Sequence, residues 1–588
     1  MWPVPGPLEE IVLMPLVDSA RQSRGIALLV ALATLIALLV PAGVQGVKPP
    51  AVEQIQILDI SDWHGQIDPI QPFGFPPLGG AAALSTYFDM ERALYPNTLT
   101  LTAGDDVGAS PPISAFFEDV PAILAERLMG IQVATFGNHN FDGGLDRLQD
   151  QIDLARSNKP RDVGEPFKYV SANLSNRNQN LRHVQDYALF NYRGVVVAVI
   201  GITNEEAPTL VFPGNFGTMT PTDGVAAAMA AKADAEAAGA TVFIAITHKG
   251  LRGFDEFAQP FGELIDFANG VSGFDVIFGD HTDIQFAGTV NGQWVVENRS
   301  KGVSYSKTVL NVTRATGDVA LGSHAFVTPI TADVPPDPDV LAMRLPFFDA
   351  LAPIFSVIIG QSDVRIPRAD SCGRPDGRLC ESLVGDVITD AMRLTYGTDF
   401  AITNAGGIRD NLTCDSGYAA GFCPVYAPPP WLITRGEAQA VLPFGNQSVT
   451  LEVNGAELKT MLENGVSAMP GANGKFPQLS GLCFTYDITA AVGSRVVGAV
   501  HQDTDGSCDG AAVDLTAGST YEIATNDFMV AGGDGYPNFF SRSVTRNIMV
   551  NDVSDWISAN TPLSPDLQGR ITCVRIFDLA GPACPVTL

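Results

Sequence analysis

The sequence predicts a layered α/β protein in two successive parts, and three observations lead there. Short apolar runs at residues 55–60, 98–102, 131–136, 242–246 and 274–278 have the length of single strands. Helical patterns at 81–94, 113–129 and 225–238 lie between them, an alternation that marks an α/β layer arrangement over about residues 50–330. Past residue 365 the texture changes. All eight cysteines fall there, glycine motifs multiply, and 381–393 reads as an amphipathic helix, so a second α/β or α+β part is expected at 366–588.

From the start of the chain, Arg21 and Arg24 precede an apolar stretch at 26–40 and the small-residue segment Pro41-Ala42-Gly43-Val44-Gln45-Gly46. This reads as a secretory signal over residues 1–46. The stretch is shorter than the ~20 apolar residues that span a bilayer, and no later run is long enough, so no stable membrane span is expected after cleavage; an uncleaved anchor is the alternative. Residues 331–339, with Pro335, Pro336 and Pro338, break the α/β pattern. The span 331–365 is therefore read as a linker carrying a bridging helix at 340–351.

A chain of 588 residues is too long for one core, and 46% hydrophobic against 17% charged residues describes a globular protein. A formal net charge of −29 argues against a nucleic-acid polymer as partner, which needs a basic face. An anionic substrate must be drawn by local charge, from metal ions and a few arginines. Eight cysteines in an exported chain suggest disulfides, and their grouping makes 372 with 380, 414 with 423, 483 with 508 and 573 with 584 the simplest pairing. A cysteine zinc site is disfavoured, since no Cys-x-x-Cys pair occurs and no histidine accompanies the groups.

The strand-like runs end on chemistry. Asp62-Trp63-His64, Gly104-Asp105, Gly137-Asn138-His139, His248 and His281-Thr282-Asp283 each follow one of them. Loops at the carboxyl ends of strands in an open α/β layer converge on one crevice, so ligands far apart in sequence can meet. Of seven histidines, His64, His139, His248 and His281 stand in these motifs, whereas His183, His324 and His501 do not. Two divalent ions about 3.5–4 Å apart share a hydroxide nucleophile and neutralise phosphate oxygens during in-line displacement.

With these motifs in this order, the chain resembles the 5′-nucleotidase family: a calcineurin-like metallophosphatase domain of layered α-β-β-α build, followed by the family's substrate-binding C-terminal domain. The resemblance implies two divalent ions, zinc, manganese or similar. Asp62, His64, Asp105 and Asp283 would hold one, and Asp105, Asn138, His248 and His281 the other, with Asp105 bridging. It departs from the family at Asp283, where histidine or glutamine is common, and at Asp280, where glycine is usual. An oxygen-rich first site tolerant of manganese and a second site better suited to zinc are therefore expected. His139 and Asp142 match the family's catalytic dyad, in which the carboxylate orients an imidazole that assists the leaving oxygen; a helix cap is the alternative for Asp142.

In the second part, Asn404-Ala405-Gly406-Gly407-Ile408-Arg409, Pro443-Phe444-Gly445-Asn446 and the run from Asn526 to Tyr536 resemble the family's nucleotide-binding motifs. The resemblance implies that Asn404 and Arg409 contact the nucleotide, that Phe444 and Phe528 sandwich the base, and that Asp534 accepts from ribose or base. Both phenylalanines as ordinary core residues is the alternative. Arg378 is the candidate for a further arginine, with Arg374 nearly equal. The function so implied is an exported enzyme releasing phosphate from nucleoside 5′-monophosphates. UDP-sugars or 2′,3′-cyclic nucleotides are alternative substrates, and a non-catalytic surface protein binding nucleotide or another partner is the alternative of another class.

Overall fold

A computed structural model describes residues 51–70, 75–159, 163–255, 257–415, 422–576 and 581–586. The signal read at 1–46 lies outside the described residues. Two six-stranded sheets build the first half. One has the spatial order Val319–Val327, Tyr305–Thr313, Val52–Asp59, Thr98–Thr102, Val133–Ala134, Lys168–Tyr169; the other runs Phe286–Val290, Gln293–Glu297, Val276–Gly279, Val242–Thr247, Val195–Ile202, Tyr187–Tyr192. The central strands of each sheet are parallel, so their carboxyl ends emerge on one edge.

Strand alternation divides the apolar residues between layers. Ile55, Ile57, Leu99 and Leu101 pack inward against Val197, Val199, Ile244 and Phe278 of the facing sheet. Leu58 and Ile60 point the other way, into a cluster with Leu84, Phe88, Ile123 and Met129 of helices Ala81–Leu94 and Val120–Met129. Ala198, Ile200 and Ile277 likewise meet Ala228, Ala231 and Leu264 of helices Gly224–Ala237 and Glu263–Gly270. The order of layers is α-β-β-α, as expected.

Three elements depart furthest from the sequence expectation. The helix expected over 113–129 is two, Pro112–Ala115 and Val120–Met129. Pro121 has no N–H to continue the earlier turn and fits only in a first turn, and Glu118 and Asp119 ahead of it take φ of 57° and 62°. The strand expected at 131–136 shrinks to Val133–Ala134, although Ile131 and Phe136 stay buried. The bridging helix extends over Pro338–Phe355, its first turn capped by Asp337, which accepts from the amides of Asp339 and Val340.

A mixed five-stranded sheet organises the second half, in the order Pro477–Ser480, Phe400–Asn404, Thr520–Asn526, Gln447–Asn454, Val544–Ile548. Helix Leu383–Tyr396 covers one face through Val387, Ile388 and Met392; helix Gly455–Gly465 covers the other through Leu458, Met461 and Leu462. The four disulfides are Cys372–Cys380, Cys414–Cys423, Cys483–Cys508 and Cys573–Cys584, the neighbour-with-neighbour pairing. Among the described residues, no helix is long and apolar enough to cross a membrane.

Candidate active site

The parallel strand ends deliver their motifs to one place, and the backbone there is strained. Asp62, His64, Asp105, His281 and Asp283 have φ of 45°, 51°, 46°, 93° and 56°. A non-glycine residue in the left-handed region costs on the order of 1–3 kcal/mol and persists only where surroundings over-determine it. Cross-loop bonds supply that determination. His64 N donates to Asp105 O at 2.9 Å, His139 N to Asp105 Oδ1 at 2.8 Å, His281 N to Asp62 Oδ2 at 3.0 Å and Asp62 N to Asp280 Oδ2 at 2.7 Å. Gly137 lets the loops close: a Cβ there would stand 2.1 Å from Asp105 Oδ1.

Two triplets result, Asp62/His64/Asp105 and Asp105/His248/His281, each with its ligand atoms within 4.8 Å of one another, and Asp105 belongs to both. His248 Nε2 lies 3.0 Å from Asp105 Oδ2 and 3.1 Å from His281 Nδ1. His64 donates Nδ1–H to Gly108 O at 2.9 Å, which leaves the lone pair of Nε2 for the pocket. Asn138 Oδ1 is buried with no hydrogen-bond partner. Acceptor atoms packed this closely, with an orphaned amide oxygen beside them, fit a pair of divalent cations held by mixed oxygen and nitrogen donors.

Electrostatics point the same way. Burial pushes the Asp105 carboxyl up, yet the imidazoles of His248, His139 and His64 hold it well below the usual carboxylate range. Burial pushes the His248 imidazole down, but the carboxylates of Asp105 and Asp62 raise it to about 9. Burial, with Arg409 alongside, keeps His64 well below its ordinary value and therefore neutral.

Asp283 belongs to neither triplet; its Oδ1 accepts from Ser300 N at 2.8 Å. Asp280 is the nearer carboxylate, grouped with Asp62 and His248. His139 Nδ1 meets Asp142 Oδ2 at 2.9 Å, and the same oxygen accepts from Ala109 N at 3.2 Å. The helix that follows, Gly144–Ala155, starts after Gly143 with no side-chain cap, so Asp142 serves His139 rather than that helix.

The second half reaches into this pocket. Arg409 Nη2 stands 3.4 Å from His64 Nε2, and the Phe444 ring lies against His139 with centroids 5.6 Å apart and planes 15° from parallel. Asn404, at the end of strand Phe400–Asn404, donates to Asp534 Oδ2 at 2.8 Å and accepts from Asn526 Nδ2 at 3.1 Å. Gly533 gives the Phe528 ring its seat, since a Cβ there would lie 2.4 Å from it. Arg374 is engaged by Asp376 through two bonds of 2.9 and 3.0 Å, whereas Arg378 keeps a buried Nε with no partner. A cavity of about 720 Å³ gathers Asn138, His139, Asp142, His281, Arg378, Asn404, Arg409, Phe444, Phe528 and Asp534 on its walls.

Two neighbours escaped the sequence reading. Glu206 Oε1 faces His281 Nε2 at 3.4 Å, and Lys301 bonds Asp410 at 3.3 Å. Glu206 follows the apolar strand Val195–Ile202, and another strand end was its available signal.

Comparison with known proteins adds to the geometry. Residues 358–541 match the family model for the 5′-nucleotidase, C-terminal domain. A cell wall protein of Listeria monocytogenes is 27% identical, over 88% of this chain and 69% of that protein, and a 5′-nucleotidase of Vibrio cholerae is 24% identical, over 87% and 91%. The chain spans only 42% and 35% of two Bacillus subtilis relatives. The crystal structure of a 5′-nucleotidase precursor from Thermus thermophilus shares the fold, with TM-score 0.74 at 24% identity, covering 89% of this chain and 99% of that one.

Proposed function

We propose that the chain is a member of the 5′-nucleotidase family and a metal-dependent nucleotide phosphohydrolase, that its substrates are nucleoside 5′-monophosphates and that it works outside the cytoplasm. The observation that carries the reading is the meeting of unlike parts. Two acid-and-imidazole triplets share Asp105, while Arg409 and Phe444 arrive from the other half of the chain at His64 and His139.

In this reading Asp62, His64 and Asp105 would hold one divalent ion, and Asp105, Asn138, His248 and His281 would hold the other. Asp283 is left out of both sets, since its Oδ1 accepts from Ser300 N and it belongs to neither triplet. When bound, the pair supplies Lewis acidity, neutralising phosphoryl oxygens and activating a water. The chain's own groups do the rest. Arg409 and Arg378 offer planar forks to the phosphate. The Asn404–Asp534 pair receives the ribose, and the Phe444 and Phe528 rings flank the base. His139, oriented by Asp142, stabilises the transferring group and hands a proton to the leaving 5′-oxygen. Location outside the cytoplasm is supported by the four disulfides, which persist in oxidising compartments, and by the cell wall name of the Listeria relative.

The test is phosphate release from AMP, UDP-glucose and 2′,3′-cyclic AMP, the last coupled to a monophosphatase, with His139→Ala and Asp62→Asn as controls. Preferred, control-sensitive hydrolysis of AMP is expected. Preference for another substrate changes the substrate assignment, and tight nucleotide binding without turnover overturns the enzymatic reading.

A further inference from the structure

Lys301 joins parts of the molecule that nothing in the sequence connects. It lies in the loop between strands Gln293–Glu297 and Tyr305–Thr313, with φ of 58°. Its amide donates to the carbonyl of Asp62 at 2.8 Å, and the preceding amide, of Ser300, donates to Asp283 at 2.8 Å. Its side chain leaves this loop for the other half of the chain. There Nζ donates to the carbonyl of Arg409 at 3.2 Å and pairs with Asp410 Oδ2 at 3.3 Å, with the lysine side chain only 15% exposed.

Arg409 is thereby tied on both sides of its backbone, since its own amide donates to Val441 O at 2.9 Å. Its guanidinium is left extended to within 3.4 Å of His64 Nε2, with a buried Nε that has no partner. One lysine thus fixes the separation between the backbone of Asp62 and that of Arg409. A left-handed backbone at a non-glycine residue, together with a largely buried ammonium, is a costly way to build a surface turn. It becomes intelligible if the distance it sets matters.

We propose that Lys301, with Asp410, is a positioning residue that sets the arginine fork of Arg409 at phosphate-binding distance from the metal pocket. The inference rests on the reading of Arg409 as a phosphate contact. Lys301 touches no substrate. Without its ammonium, the Arg409 carbonyl loses its donor, Asp410 loses its counter-charge, and the fork is free to drift by the fraction of an ångström that weakens a bidentate contact.

The experiment compares Lys301→Met, Lys301→Arg, Asp410→Asn and the double variant Lys301→Met/Asp410→Asn in metal-loaded full-length protein. KM and kcat for AMP, bound metal per chain and Tm are measured, with Arg409→Ala as reference. Lys301→Met and Asp410→Asn are each expected to raise KM about tenfold, the effect of losing one charge-assisted contact. Metal content should stay unchanged, Lys301→Arg should recover most of the loss, and the double variant should be no worse than the stronger single. If Lys301→Met does not fold, Asp410→Asn decides, because it leaves the lysine and its bond to the Arg409 carbonyl in place. Unchanged KM in Asp410→Asn and Lys301→Met while Arg409→Ala is impaired overturns this inference alone. So does a loss that tracks missing metal, or singles whose effects multiply. Unimpaired Arg409→Ala, or wild-type protein that releases no phosphate, overturns the underlying reading and this inference with it.

Discussion

Replacing Asp142 with asparagine isolates one element of the proposed chemistry. In the structure Asp142 Oδ2 receives two donors, His139 Nδ1 at 2.9 Å and Ala109 N at 3.2 Å, and neither carboxyl oxygen belongs to a metal triplet. Asparagine can present its carbonyl oxygen to both donors, so geometry survives and only the charge is lost. A hydrogen bond to a charged group contributes about 1.5–3 kcal/mol and a neutral one about 0.5–1.5 kcal/mol, a difference near 1–2 kcal/mol. If the imidazole carries positive charge as the leaving oxygen departs, that difference lowers kcat by about 5- to 30-fold. Asp142→Ala removes both bonds and strands two donors, so its loss should reach about 100- to 1000-fold. The assay is kcat for AMP beside kcat for an aryl phosphate, whose leaving group departs without a proton. Asn and Ala variants should both recover toward wild type on the aryl ester, with metal content unchanged throughout. An Asn variant within twofold of wild type on AMP would refute the assigned role, and equal losses on both substrates would refute its proton-donating part.

Four further outcomes follow from particular residues. Phe528→Ala should raise KM for AMP by about 5- to 100-fold with kcat little changed, the worth of one stacked base; Phe444→Ala, whose ring also backs His139, should lower kcat as well, and steady-state kinetics separate the two. Gly137→Ala, whose methyl would meet Asp105 Oδ1 at 2.1 Å, should strip metal as read by elemental analysis, and a variant that keeps its full complement would show the loops to be more yielding than argued. Asp275→Asn should stabilise the protein at neutral pH. Burial raises the Asp275 carboxyl to about 6 from an ordinary 3.8, so its favourable contribution is complete below about pH 4 and lost as pH rises through 6. Urea denaturation at pH 7.5 should therefore favour the variant by about 3 kcal/mol, and at pH 4 by little. Chelation should abolish turnover and added zinc or manganese restore it, whereas activity that survives exhaustive chelation would remove the metals from the account.

Much of the site was legible because its parts lie at the ends of short apolar runs, where chain direction and strand length leave little choice of place. Thr98–Thr102 and Ala81–Leu94 fall where the pattern puts them, and the disulfides join sequence neighbours. What was not legible has physical causes. Beyond a strand end the backbone leaves the period-two rule, so nothing in Asp280-His281-Thr282-Asp283 says which carboxylate turns toward Asp62; φ of 93° at His281 and 56° at Asp283 decide it. Arg374 and Arg378 both line the cavity and both face the Asp376 charge, but the two hydrogen bonds of that carboxylate go to Arg374, a contact between side chains rather than a pattern. Lys301 acquires its place through a carbonyl 108 residues away, and no local signal carries such a contact. The split near Pro121 was readable in principle, since proline announces a first turn.

The most direct test of the central claim is to count divalent metal per chain and measure phosphate release from AMP on the same samples, for wild type and Asp105→Ala. Two ions and turnover are expected in wild type, and loss of both in the variant, because Asp105 belongs to both triplets. An Asp105→Ala protein that still holds two ions, or hydrolyses AMP at the wild-type rate without them, would contradict it.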